Sequence, residues 1–268
     1  MEQCAKSYRG HPCFNPRAVK EHGRIHLPVA PRCNIKCRYC DRRYSCANEN
    51  RPGIAAKVMS PAEAMGHLAK SIEIEPRISV AGIAGPGDPL YNEETFKTFQ
   101  MINREFPQMI LCLSTNGLLL KERLYDLICC GVKTLTVTVN AVDRFIGQEI
   151  YDYVSYHGNI YRGLDAAELL IEKQLAGIEA AVKNDFLVKV NTVMIPGINE
   201  GHIDAVAKRV KELGAFIMNI MPLIPSGDFA HIPAPDCKQI EKLRKDNSAT
   251  MEQMHHCRQC RADAVGML

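Results

Sequence analysis

Three cysteines at one short stretch, Cys33, Cys37 and Cys40, read C-x-x-x-C-x-x-C. On a tight loop, thiolates at that spacing can each take one iron of a four-iron, four-sulfur cube. The fourth iron then has no protein ligand and is open to a small molecule. Cationic neighbours lower thiol pKa and favour the metal-binding thiolate, and Arg38, Arg42 and Arg43 stand beside this loop. A second C-x-x-C lies in the tail, in His255-His256-Cys257-Arg258-Gln259-Cys260. It can serve a further cluster, or form half of a zinc site with Cys37 and Cys40. Cys46 follows the first loop closely. Cys13 lies in the head, and Cys112 and His26 fall on apolar runs. Cys4, Cys129, Cys130 and Cys237 are read as structural thiols.

The elements that must position these groups alternate between strand and helix. Apolar runs predict strands over 25–30, 78–84, 109–114, 134–139, 186–195 and 215–223. Pro28 makes the first irregular or an edge. Ser60-Pro61-Ala62-Glu63 is a capping box with proline at the first helical position, opening a helix to about Glu75. Asn92 is expected to cap the next helix. Further helices are expected up to Cys130, over 164–181 and over 199–213. Such alternation implies a parallel sheet, and six units are too few to close an eight-fold barrel. The expected fold is α/β, an open, partial TIM-type barrel of six β/α units. Active sites of such folds lie at the carboxyl ends of the strands. Those ends carry the cysteine loop, Gly85-Pro86-Gly87-Asp88, Asn116, Asn140 and Asn191. The head (1–23) and tail (225–268) lie outside the 24–224 repeat and are expected to cover the cluster face.

The chain has 268 residues, a net charge of +3, twelve cysteines and nine histidines. Near balance of charge excludes bulk nucleic-acid binding. The start is charged and unlike a signal peptide, and no apolar run reaches membrane-spanning length. A cytoplasmic protein is expected, in which metal is a better use for many cysteines than disulfides.

The C-x-x-x-C-x-x-C spacing, with the aromatic Tyr39 just before its last cysteine, resembles the radical S-adenosylmethionine (SAM) family. Longer strings narrow the resemblance to members that act in nitrogenase cofactor biosynthesis. These are His11-Pro12-Cys13, Val29-Ala30-Pro31, Arg42-Arg43-Tyr44, Cys46-Ala47-Asn48-Glu49, Arg51-Pro52-Gly53, Gly82 to Leu90, Cys112 to Gly117, Val190 to Gly197 and Cys257 to Gly266. An extra carboxyl-terminal carrier-like domain of some members has no counterpart, so the short, stand-alone form is expected.

The resemblance implies three 4Fe-4S clusters and SAM. Cys33, Cys37 and Cys40 would hold the SAM-binding cluster. Cys13, His26 and Cys112 would hold one substrate cluster; Cys46, Cys257 and Cys260 would hold the other. Tyr39, the Gly85–Asp88 turn, Asn116, Asn140 and Asn191 would bind SAM, and Glu49 would carry a proton. The implied reaction transfers a methyl from SAM, abstracts hydrogen from it and fuses two four-iron clusters around a carbide with an added sulfide. Implied partners are a cluster donor, a cofactor carrier or scaffold, and an electron donor such as ferredoxin. A radical SAM enzyme with auxiliary clusters acting on an organic substrate, and a non-catalytic iron–sulfur scaffold, are the rival readings.

Overall fold

The computed structural model describes residues 8–44, 46 and 57–268; Cys4 and Glu49 lie outside them. The main sheet is built from β1 (Gly23–His26), β3 (Ile78–Ile83), β4 (Ile110–Thr115), β5 (Thr134–Thr138), β8 (Leu187–Met194) and β9 (Ile217–Pro222). These six run parallel, in the spatial order of the chain. Their burial is nearly continuous, as expected for parallel strands covered on both faces. The sheet ends at β9 on one side and at the antiparallel β10 (Val265–Gly266) on the other. It is therefore a curled, partial barrel, as the alternation of elements predicts.

Helices α1 (Pro61–Ile74), α2 (Glu93–Glu105), α3 (Leu120–Cys129), α5 (Gly163–Lys183) and α6 (Ile203–Glu212) connect the strands. Ser60 and Glu63 close the expected capping box on α1, each bonding the other's backbone N–H. Leu68 of α1 and Phe99 and Ile102 of α2 are fully buried against Ile25, Ala81 and Ile83.

Several local expectations need correction. The first strand stops at His26, because Pro28 has no N–H for the ladder and the chain turns off towards the cysteine loop. Asn92 stands at the N-cap of α2 but makes no capping bond. Its amide instead accepts from Arg32 N (3.2 Å) and donates to Arg32 O and Asp88 O (both 2.7 Å).

Between β5 and β8 the chain adds α4 (Arg144–Ile150), β6 (Tyr151–Tyr156) and β7 (Asn159–Arg162). The β6–β7 hairpin turns on His157 and Gly158, both at positive φ, as a two-residue hairpin turn of the primed type requires. With β2 (Ile35–Cys37) the hairpin forms a separate antiparallel sheet. The central cysteine of the motif thus sits on a strand held by an inserted hairpin. The tail contains a helix, α7 (Cys237–Asn247), capped reciprocally by Asp236 and Gln239.

Candidate active site

The strand ends bring two adjoining cavities to one face. The smaller, of about 360 Å³, is lined by Cys33, Cys37, Cys40, Cys46, Gly87, Asp88, Ser114 and Asn116, among others. Cys40 N donates to Cys37 O at 3.0 Å, a tight turn between the last two cysteines of the motif. Burial pushes the Cys33 thiol up to about 11 and raises Cys37 and Cys40 as well, while the Arg42 guanidinium works in the opposite direction. Apolar, buried thiols of this kind ionise only when a cation supplies the missing charge. Among the described residues, no three His, Cys, Asp or Glu side chains converge tightly enough for a single metal ion. In a cube each thiolate takes its own iron, and three thiols of one loop lining one cavity fit that arrangement. Nor do Cys37, Cys40, Cys257 and Cys260 form a four-thiol zinc group.

The Gly85–Asp88 turn is seated on the chain that enters the motif. Gly87 N donates to Ala30 O at 2.6 Å, and Asp88 N to Arg32 O at 2.9 Å. A β-carbon on Gly87 would lie 2.3 Å from Arg32 O, so only glycine fits there. The Asp88 carboxylate is buried and accepts from Leu90 N, Thr115 Oγ1 and Asn116 N. Burial pushes its pKa up to about 6 against the pull of those donors.

The three asparagines are placed differently. The Asn116 amide donates to Asn34 Oδ1 (2.7 Å) and approaches Cys33 Sγ (3.7 Å). Gln174 of α5 holds the Asn116 carbonyl at 2.8 Å. Asn140 is fully buried, donating to the Tyr39 hydroxyl (2.7 Å) and accepting from Val193 N (2.9 Å). Tyr39 is itself 1% exposed, so this pair anchors the motif in the core. Asn191 lies within β8, where its Oδ1 accepts from Asn219, and it faces the larger cavity.

That larger cavity, of about 740 Å³, joins Cys13, His26, Cys112, Cys257 and Cys260; Ser114 borders both spaces. Sheet register explains part of the convergence. His26 pairs with Gly82, and Gly82 with Cys112. Paired residues of neighbouring strands project to the same face, and Gly82 leaves the gap between them open. A β-carbon there would meet the His26 ring at 3.1 Å. His26 Nδ1 lies 2.9 Å from Arg261 O. A carbonyl only accepts, so Nδ1 carries the hydrogen and Nε2 keeps the lone pair a metal needs. Burial pushes the His26 pKa down to about 4, which keeps the ring neutral.

Cys13, Cys112 and Cys257 all pack against Phe14, Ile217 and Met254. Asn219 donates to Cys257 Sγ at 3.3 Å, and Arg24 to Cys260 Sγ at 2.9 Å. Cys46 is the one expected ligand placed elsewhere. It borders the smaller cavity with Cys33, Cys37 and Cys40, its N–H bonded to Pro86 O at 3.0 Å, and does not line the space of Cys257 and Cys260.

His11, Arg24, Lys189 and Asn219, none of them among the site residues expected from the sequence, are also buried and line the larger cavity. For Arg24 and Lys189 the sequence carries a signal: a charged residue inside an apolar strand, two positions from a candidate site residue, shares its face. Arg24 precedes His26 in this way, and Lys189 precedes Asn191.

The Radical SAM superfamily model matches residues 27–210. The FeMo cofactor biosynthesis protein NifB of Methanocaldococcus infernus is 47% identical over 270 residues, covering 100% of this chain and 89% of that protein. NifB of Chlorobaculum tepidum is 45% identical over 263 residues; the match covers 97% of this chain but only 62% of that longer protein. Among solved structures, Streptococcus suis SuiB bound to S-adenosylmethionine superposes with a TM-score of 0.61 at 12% identity, covering 85% of this chain and 49% of SuiB. A radical SAM methyltransferase from Sphaerobacter thermophilus gives 0.56 at 16% identity, over 87% and 64% of the two chains. At such identities the structural likeness speaks for the fold alone. The fold, the three-cysteine motif and the 45–47% identity to these relatives along nearly all of this chain agree, and the chain belongs to the radical SAM superfamily and, within it, to the NifB family.

Proposed function

We propose that this chain is the radical SAM enzyme of FeMo cofactor biosynthesis that fuses two four-iron substrate clusters around a SAM-derived carbide, with an added sulfide, into an eight-iron precursor. One observation carries the reading. Five potential iron ligands, drawn from the head, β1, β4 and the tail, line a single cavity that adjoins the motif cavity. Such a ligand set suits clusters that are themselves the substrate; an enzyme with auxiliary clusters acting on an organic molecule would instead release a modified small molecule.

A cluster on Cys33, Cys37 and Cys40 would leave one iron for SAM and supply the electron that splits it into methionine and a 5'-deoxyadenosyl radical. The Gly85–Asp88 turn and the Asn34–Asn116 pair fix the loop that carries those thiols. Cys13, His26 and Cys112 would hold one substrate cluster by three irons, leaving the fourth without a protein ligand. Cys257 and Cys260 would hold the second, with Cys46 as third ligand from the side of the motif cavity. A neutral imidazole is a weaker anchor than thiolate, which suits a cluster that must later leave. Glu49 is assigned the proton transfer from the sulfur-bound methyl group. A cluster donor, an electron donor such as ferredoxin and a carrier for the product complete the scheme. No helix among the described residues is long and apolar enough to cross a membrane.

The reading is tested by comparing Cys37→Ala with Cys112→Ala in anaerobic, reconstituted protein. Cys37→Ala should yield no 5'-deoxyadenosine. Cys112→Ala should still cleave SAM but release no carbide-bearing cluster. Full product from Cys112→Ala would remove the larger cavity from the reaction.

A further inference from the structure

Two residues of β1 make most of the contacts that hold the end of the tail. Arg24 is 7% exposed. Its Nη1 donates to Gly266 O at 2.6 Å and Met267 O at 3.0 Å, and its Nη2 to Cys260 Sγ at 2.9 Å. His26 N donates to Ala264 O at 2.8 Å, and its ring Nδ1 to Arg261 O at 2.9 Å. The strand pairing itself is short: Arg24 with Gly266, and Ile25 with Val265. So brief a ladder is weak on its own. It relies on the buried guanidinium, whose planar fork reaches two carbonyls and a sulfur together.

These contacts join candidate ligands of different clusters. His26 is assigned to the first substrate cluster and Cys260 to the second. The carbonyl that selects the His26 tautomer belongs to Arg261, the residue after Cys260. If the tail lifts, His26 loses its orienting carbonyl and Cys260 its donor in the same motion. The tail also walls the cavity through Met254 and Cys257 to Cys260, so a cluster entering or leaving by that side displaces it.

We propose that Arg24 is a positioning residue that locks the tail onto β1 and thereby assembles both substrate-cluster sites together. The inference rests on the assignment of His26 and Cys260 to separate clusters. It makes the two sites interdependent: neither is complete with the tail open.

The test uses the full-length chain, reconstituted anaerobically, as wild type and Arg24→Lys. Lysine keeps the charge and loses the fork. Gly266→Val is the companion variant, straining the tail at a residue with φ of +104° while the Arg24 side chain itself is kept. Three quantities are read: iron content, nitrogen coupling to a cluster by pulsed electron paramagnetic resonance, and amide exchange over 261–267. Wild type should hold about twelve irons and show the His26 coupling. Both variants should retain about four irons, as expected for the SAM cluster alone, and lose the coupling although His26 is unchanged. Exchange over 261–267 should quicken about tenfold or more, as loss of a charge-assisted hydrogen bond implies. A purely structural Arg24 would lower the unfolding midpoint and leave coupling and iron content intact in the folded protein. That result overturns the proposal, as does loss of about four irons with the coupling kept, which would make the sites independent. Wild type that never exceeds about four irons would instead overturn the cluster assignment.

Discussion

Gly87→Ala probes how the glycine turn supports the motif. The added β-carbon would stand 2.3 Å from Arg32 O, 2.5 Å from Arg32 C and 3.0 Å from Ala30 O, against an ordinary contact of 3.4 Å or more. All three atoms are backbone, so no side chain can swing aside. The turn and the entering chain must part by about 1 Å, an overpacking strain of about 1–3 kcal/mol. That movement also stretches Gly87 N to Ala30 O and Asp88 N to Arg32 O, at about 1 kcal/mol each. A total loss of about 3–5 kcal/mol is expected, read as a lower midpoint in denaturant unfolding of the cluster-free protein. Cys33 follows Arg32 directly, so the displacement reaches the first ligand. A misplacement of that size can cost about a hundredfold in rate, measured as 5'-deoxyadenosine formation after reconstitution. Gly66→Ala on α1 is the control. Nothing lies within 4 Å of its β-carbon, and it should gain about 0.5–1 kcal/mol. Wild-type unfolding and SAM cleavage by Gly87→Ala would refute the seating of the turn on the motif.

Other perturbations probe separate parts. Asp88 has its pKa pushed up to about 6 by burial, above an unfolded value of about 3.9. The folded state therefore binds the proton more tightly. In cluster-free protein this contribution is fully present below about pH 4 and lost as pH rises through about 6, a fall of roughly 3 kcal/mol. The stability difference between wild type and Asp88→Asn should change with pH across that window; a flat difference would mean that the carboxyl titrates normally. Tyr39→Phe leaves the buried Asn140 amide without its hydroxyl partner and should destabilise by about 1–3 kcal/mol. Iron stoichiometry should not change, and a lost SAM cluster would make Tyr39 more than an anchor. His26→Ala should abolish nitrogen coupling to a cluster while the SAM cluster still forms; persistence of the coupling would return His26 to the core.

Much of the scaffold was legible because its signals are local. Six apolar runs became six parallel strands, and Ser60 with Glu63 announced α1 through a bond between neighbours in sequence. The β6–β7 hairpin is hard to read because Tyr151 to Tyr156 mixes buried and half-buried residues without clean alternation, and its His-Gly turn is a weaker signal than Asn-Gly. The tail helix was readable in hindsight from Asp236 and Gln239, a capping pair like that of α1. The roles of the asparagines were not readable. Each ends or lines a strand, but what its amide bonds depends on partners distant in sequence, such as Tyr39 for Asn140 and Asn219 for Asn191. For the same reason, spacing could not place Cys46 on the smaller cavity.

The central claim is that one cavity holds the SAM cluster and its neighbour receives two substrate clusters. Iron quantification and Mössbauer spectroscopy of anaerobically reconstituted protein, wild type beside the Cys33→Ala, Cys37→Ala, Cys40→Ala triple variant, test it most directly. The account predicts about twelve irons in wild type and about eight in the variant, whose remaining iron sits in four-iron clusters that SAM does not perturb. Saturation of wild type near four irons, with SAM cleavage intact and none of that iron left in the variant, would contradict it.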